Sequence, residues 1–89
     1  MSKPESIQEF SHREDVYQFS VYRYPELSDL TVIKALKNGS EFVISCGEVL
    51  INPNRHLSSD LAKAMKSAGK ANPVERIIKD LQNTIVRSC

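Results

Sequence analysis

Residues 27–51 read LSDLTVIKALKNGSEFVISCGEVLI and hold the densest apolar run of the chain together with its strongest turn signals. One interpretation of the first half is a helix. Ser28 would be its N-cap, Asp29 would lie in the first turn, and Gly39 would end it in a left-handed conformation. Because the signals at the two ends agree with each other, we favour the helix.

A second interpretation makes Asn38-Gly39 the type I′ turn of a β-hairpin that joins TVIKALK to SEFVISC. In this register Ala35 lies opposite Phe42, and the two strands share one apolar face. Gly47 suggests a bulge or tight turn before the short apolar run that closes the stretch. The sequence leaves both interpretations open.

The chain before this stretch divides into two parts. Residues 1–13 are polar and show no periodicity, which predicts a flexible N-terminal arm. From Asp15 onward apolar and polar residues alternate, so that Tyr17, Phe19 and Val21 point to one side, as in a half-buried strand that ends at Pro25. We therefore expect one domain at 14–89.

Two helices are predicted after the stretch. Ser58 or Ser59 caps the first, and Gly69 closes it. The second has the clearest start signal in the chain, with Asn72 as the capping residue and Pro73 at the first helical position. Apolar residues recur along it at helical spacing: Val74, Ile77, Ile78, Leu81 and Ile85.

The combined pattern predicts an α+β fold. A small sheet of two or three strands would begin either as a strand–helix–strand unit or as a hairpin at Asn38-Gly39. In the first case the crossover would make the two strands parallel. The two C-terminal helices would cover the sheet.

Composition narrows the functional classes. The chain has 89 residues, 40% of them hydrophobic and 26% charged, which is typical of one globular domain rather than a disordered chain. It lacks an apolar stretch of membrane-spanning length and the apolar core of a signal peptide, so we expect a cytoplasmic protein that is not bound to membrane. A domain this small buries only about 60% of its unfolded surface, which makes a homodimer a fair expectation.

No pattern in the sequence predicts an enzyme, a metal site or a cofactor. The three glycines are too far apart to form a phosphate-binding loop. His12 and His56 lack the spacing of metal ligands. Cys46 lies in an apolar run and is predicted to be a small buried hydrophobe, and Cys89 to be free.

The strongest indication of function is the distribution of basic residues and tyrosines along the sequence. Residues 54–89 carry seven basic side chains against three acidic ones, while the chain as a whole has a net charge of only +1. We predict a non-enzymatic regulatory or adaptor protein that binds another protein, and as the alternative a nucleic-acid-binding regulator that uses this basic half. The candidate binding residues are two tyrosines that could stack on bases and five helical basic residues: Tyr22, Tyr24, Lys63, Lys66, Lys70, Arg76 and Lys79.

Overall fold

A computed structural model describes residues 3–69 and 72–87. The elements in chain order are β1 (Ser6–His12), β2 (Asp15–Tyr24), β3 (Leu30–Lys37), β4 (Ile44–Cys46), β5 (Val49–Ile51), β6 (Arg55–Leu57), α1 (Ser59–Ser67) and α2 (Pro73–Arg87). Four of the strands form an antiparallel sheet in the order β1-β2-β3-β6, and β4 pairs with β5 in a separate hairpin.

Residues 30–37 form a strand, so the favoured prediction of a helix is wrong. Pro25–Leu27 form a short 3-10 helix that reverses the chain, and Ser28 and Asp29 then adopt positive φ angles of 55° and 59°. A right-handed helix cannot begin with two successive residues in the left-handed conformation. The Asp29 carboxylate accepts hydrogen bonds from Arg23 of β2 instead of capping a first turn. The Arg23–Asp29 hydrogen bonds thus hold the start of β3 beside the end of β2.

The turn at Asn38-Gly39 is present, as the second interpretation predicted. Both residues have positive φ, 51° and 82°, and the backbones of Lys37 and Ser40 exchange hydrogen bonds of 2.8 and 3.0 Å. Asn38 also fastens the turn to β2, because its Oδ1 accepts a hydrogen bond from the Val16 amide at 3.0 Å. The paired strand that should follow the turn does not form, and the chain leaves the sheet after Ser40.

The predicted pairing of Ala35 with Phe42 is therefore wrong. Ala35 lies opposite Phe19 of β2, and its amide donates to the side-chain oxygen of Asn54 at 2.9 Å. The neighbouring strand on this side of β3 is β6, which is only three residues long. The strand β6 and the Asn54 side chain before it thus provide hydrogen-bond partners for the backbone at the outer edge of β3.

The segment predicted to be a loose arm contributes the opposite edge of the sheet. Ser6–His12 pair along their whole length with β2, from Ser6 opposite Val21 to His12 opposite Asp15. Arg13, with φ of 59°, lies in the turn that joins β1 to β2. A short sequence without strong periodicity can become a strand when a long neighbouring strand offers it a ladder of hydrogen bonds.

The capping residues in the sequence predicted the starts of both helices correctly. The Leu61 amide donates to Ser58 Oγ at 3.2 Å, and the Val74 amide donates to Asn72 Oδ1 at 3.0 Å. These are the N-cap bonds that satisfy amides at a helix start. Gly69 follows α1 with φ of 70°, the left-handed conformation that glycine adopts at least cost.

The core lies between the sheet and one side of α2. Its buried members come from β2, β3, β4 and α2: Tyr17, Phe19, Val21, Ile33, Ala35, Ile44, Ile78, Leu81 and Ile85. Phe10 of β1, Phe42 and Ile51 pack against this cluster from its margin. Among the described residues, α1 contributes no side chain to the cluster.

The predicted fold class is therefore corrected in three respects. The sheet has four strands rather than two or three, and a separate two-stranded hairpin accompanies it. The strands β2 and β3 are antiparallel, because a tight turn and not a helical crossover connects them. The predicted cover of two C-terminal helices is wrong, because the residues that pack on the sheet come from α2 and the hairpin.

Candidate interaction surface

The sheet has two chemically distinct faces. Successive residues of a strand point to opposite sides, and residues directly opposite each other on antiparallel strands share a side. The register therefore places Phe19, Val21, Ile33 and Ala35 on the side that α2 and the hairpin cover. We call this side the covered face.

The other side, which we call the open face, carries the alternate residues of the four strands. These are Ile7, Glu9 and Ser11 of β1, Val16, Gln18, Ser20, Tyr22 and Tyr24 of β2, Leu30, Val32, Lys34 and Leu36 of β3, and His56 of β6. Every sheet residue in the core cluster belongs to the covered face. The helix α2 and the hairpin thus place their core residues on one side only.

Apolar side chains on the open face are exposed at the margin. Ile7 is 53% exposed and Val16 is 44% exposed. Ser20 and Val32 near the middle are buried, because larger side chains of the neighbouring strands flank them. Tyr22 is half-buried, and its ring lies under the Lys34 ammonium, 5.3 Å from the nitrogen to the ring centre. The face therefore presents an apolar and aromatic surface with few charges.

A groove lies on the covered-face side, at the end of the sheet beside the starts of both helices. Its volume is about 640 Å³. Buried Val21, Leu57 and Pro73 form part of its lining, and Arg23 and Lys63 contribute charge. Two acidic residues, Glu5 and Asp29, line it as well. The groove consequently has a mixed polar and apolar lining, and its two acidic and two basic residues balance in charge.

The Arg23–Asp29 pair is the best-defined polar contact of the groove. Arg23 Nε and Nη2 donate to the two carboxylate oxygens of Asp29 at 2.8 and 2.9 Å. Hydrogen bonding to Arg23 lowers the pKa of Asp29, and the positive charge of Lys63 lowers it further. The hydrogen bond to Asp29 raises the pKa of Arg23 in turn. Since both side chains are well exposed, the pair fixes the β2–β3 turn rather than contributing much stability.

The predicted site residues lie on different parts of the molecule. Tyr22 and Tyr24 occupy the open face, whereas Lys63 lines the groove behind the sheet. Arg76 is exposed on α2, and Lys79 borders a second, smaller cavity with Gln8 of β1. These basic residues therefore do not join the tyrosines in one surface.

Two of the predicted lysines cannot be placed in the same way. Lys66 belongs to α1, and its side chain is not among those described. Lys70 lies outside the described residues.

Sequence reasoning missed most of the open face. Ile7 and Glu9 fell in the predicted arm, and Val32, Lys34 and Leu36 fell in the predicted helix. Read as a strand, LTVIKALK places these last three on one side, so the alternation in β3 is the signal that would have revealed them. Only the β2–β3 register shows that Val32, Lys34 and Leu36 lie on the same face as Tyr22.

The structure corrects the prediction made for Cys46. Cys46 is half-buried on β4 and takes part in a disulfide, which corrects its prediction as a small buried hydrophobe. Cys89 lies outside the described residues. In the described part of the chain no group of three or more histidine, cysteine, aspartate or glutamate side chains is arranged to hold a metal ion.

Comparison of the chain with protein-family models, with curated proteins and with solved structures finds no significant match in any of the three. Over residues 3–69 and 72–87, no helix is both long enough and apolar enough to cross a bilayer.

Proposed function

We propose that this protein is a non-enzymatic binding domain that holds another protein on its open face, and regulates or escorts it. The observation that supports the proposal is the composition of that face. Sheets with one solvated face ordinarily alternate apolar residues inside with polar residues outside. Here more than half of the outward positions are apolar or tyrosine, among them Ile7, Val16, Tyr22 and Leu36.

Physical chemistry favours a protein as the occupant. A contiguous exposed apolar patch is rare on a monomer and marks an interaction site. Tyrosine in particular is enriched among the residues that dominate binding energy, because a rigid ring buries a large area at little entropic cost. The open face has Glu9 and Lys34 as its only fully charged side chains, so their charges cancel.

Capture from the native lysate with paired variants tests this proposal. Val16→Glu places a charge on the open face, and Val86→Glu places the same charge on α2 at a residue of similar exposure, 49% against 44%. We expect immobilised wild-type protein and Val86→Glu to retain the same partner, and Val16→Glu to lose it. Retention of that partner by Val16→Glu would contradict the proposal, provided that circular dichroism shows all three proteins folded.

A second candidate function is nucleic-acid binding. One observation favours it: Tyr22 and Tyr24 lie side by side on a solvent-facing sheet, the arrangement in which RNA-binding domains stack single-stranded bases. The basic residues Lys63 and Lys79 lie on the other side of the sheet, away from these rings. Anisotropy titrations of labelled single-stranded RNA and DNA at two salt concentrations decide the question. Affinity that falls steeply with salt and is reduced in Tyr24→Ala would support this candidate, and absent binding would remove it.

A cytoplasmic location remains a proposal from the sequence, and one observation opposes it. Disulfides persist in oxidising compartments and are rare in the cytosol, and Cys46 takes part in one. Rapid alkylation of intact cells followed by mass measurement of the protein counts its free thiols. Protein with alkylated cysteines would support the cytoplasm, whereas unmodified protein would contradict it.

A further inference from the structure

We infer that the open face binds a second copy of this chain, so that two sheets pack face to face. The inference rests on the proposed function, because it names the partner of the same surface. A twofold dimer brings identical surfaces together, and such a surface must be complementary to itself. The charges of the open face meet this condition.

Glu9 and Lys34 lie on opposite flanks of β2. Glu9 is directly opposite Gln18 on the β1 side, and Lys34 is directly opposite Ser20 on the β3 side. A twofold axis in the interface that runs along β2 exchanges the two flanks. Glu9 of each copy then faces the flank of the other copy that carries Lys34.

The offset between these two positions is small. They differ by two residues along β2, which corresponds to roughly 7 Å of strand. Stacked sheets cross at about 30°, which changes the offset on each flank, and lysine and glutamate are both long side chains. Two equivalent Glu9–Lys34 contacts can therefore form in one dimer.

The twofold axis makes each β2 residue of the open face meet its own copy. Val16 and Tyr22 lie on β2 on either side of the polar residues Gln18 and Ser20. The two Val16 side chains and the two Tyr22 rings therefore form apolar contacts, and the Glu9–Lys34 pairs lie at the flanks. Apolar contacts combined with polar and charged ones are usual in a protein interface.

The size of the face predicts how tightly the two copies bind. Strands of 7, 10, 8 and 3 residues form it. At about 3.4 Å per residue and about 4.8 Å between strands, they cover roughly 450 Å² on each copy. Two such faces amount to roughly 900 Å², close to the ~1,000 Å² that separates weak biological interfaces from incidental contacts. We therefore expect a reversible dimer with a dissociation constant of roughly 10–100 μM.

Sedimentation equilibrium of the full chain between roughly 1 μM and 1 mM tests the inference. The wild-type protein should pass from 10.0 kDa to twice that mass as its concentration rises. Val16→Glu should remain a monomer throughout, because the twofold axis along β2 would bring the two new carboxylates together. Val86→Glu, which lies on α2, should dimerise like the wild type.

Charge exchange tests the arrangement of the two copies. Lys34→Glu and Glu9→Lys should each weaken the dimer by about tenfold, because each puts like charges together twice. The double variant Glu9→Lys/Lys34→Glu should return to within about threefold of the wild-type dissociation constant. A double variant as weak as the singles would overturn this arrangement.

Failure of the inference can be told apart from failure of the proposed function. Wild-type protein that stays at 10.0 kDa up to roughly 1 mM overturns the dimer. So does a dimer that Val16→Glu leaves unchanged. If the protein is monomeric but Val16→Glu still abolishes capture of a different protein, the open face binds that protein and only the second copy is wrong.

Discussion

The two faces of the sheet are built from the same strands and have opposite environments. On the covered face Phe19 and Ile33 have no exposed surface, whereas on the open face Val16 and Ile7 are about half exposed. The backbone hydrogen bonds are common to both faces, so they cannot account for the difference. What separates the faces is that α2 and the hairpin bury their apolar residues on one side only. This difference between the faces is the basis of the proposal that the open face binds a partner.

The largest expected effect is on the covered face. Phe19→Ala removes a ring that is completely buried among β3 and α2 residues, and leaves a cavity that the packed neighbours cannot close. We expect the free energy of unfolding to fall by about 3–5 kcal/mol, which is a large fraction of the stability of so small a domain. Urea denaturation followed by far-ultraviolet circular dichroism measures it.

A smaller loss is expected where the covering helix begins. Asn72→Ala removes the acceptor of the Val74 amide and should destabilise the protein by about 1 kcal/mol. Asn83→Ala is the matched control, since Asn83 is exposed within α2 and alanine there favours the helix by up to about 0.7 kcal/mol. Equal effects of the two substitutions on the urea midpoint would show that the cap does not hold α2 in place.

On the open face the monomer should tolerate the loss of an aromatic ring. Tyr22→Ala removes the contact with Lys34 and a half-buried ring, and should cost the monomer about 1 kcal/mol or less. Urea denaturation at a protein concentration of about 1 μM, below the expected dimerisation range, measures this cost. A loss as large as that of Phe19→Ala would mean that the open face is packed in the monomer, and the contrast between the faces would fail.

The smallest effect concerns the turn that joins β2 to β3, and it depends on pH. Because hydrogen bonding to Arg23 lowers the pKa of Asp29 below its ordinary value of 3.8, the Arg23–Asp29 pair stabilises the protein above that pH. This contribution is lost as the pH falls through the lowered value. Asp29→Asn should therefore lose slightly less stability than the wild type on acidification below pH 3.8, measured by thermal unfolding.

Arg23→Gln provides an independent check of the same pair. It removes the hydrogen-bond donors that hold the carboxylate, and should reduce the acid-dependent loss in the same way as Asp29→Asn. If either variant followed the wild-type pH profile, the pair would not be formed in solution.

Local signals predicted part of this fold correctly. The alternation of Tyr17, Phe19 and Val21 identified β2 and its buried side, and Asn72-Pro73 identified the start of α2. Each of these features depends on residues that are close together in the chain. Caps and periodicity are determined locally, so the sequence alone reveals them.

The remainder depends on contacts between distant residues. β3 carries helix-like signals at both ends. Asp29, which was predicted to lie in the first turn, instead binds Arg23, and Asn38, beside Gly39, binds Val16, so tertiary contacts decide the structure of this segment. β1 has no strong pattern of its own and becomes a strand by pairing with β2.

The candidate surface shows the same limit. The sequence named Tyr22 and Tyr24, but their neighbours became visible only once β1 and β3 were placed beside β2. Whether the candidate basic residues lie on the same surface as the tyrosines depends on which side of the sheet α1 occupies, and the sequence does not determine this. Lys63 proved to lie near Arg23, on the covered-face side.

The most direct test of two unequal faces measures solvent access to individual methyl groups. A soluble paramagnetic agent is added to methyl-labelled protein at a concentration of about 1 μM, below the expected dimerisation range, and the loss of each NMR signal is recorded. We expect strong signal loss for Ile7 and Val16 and little loss for Val21 and Ile33. Equal protection of all four methyl-bearing residues would contradict this expectation.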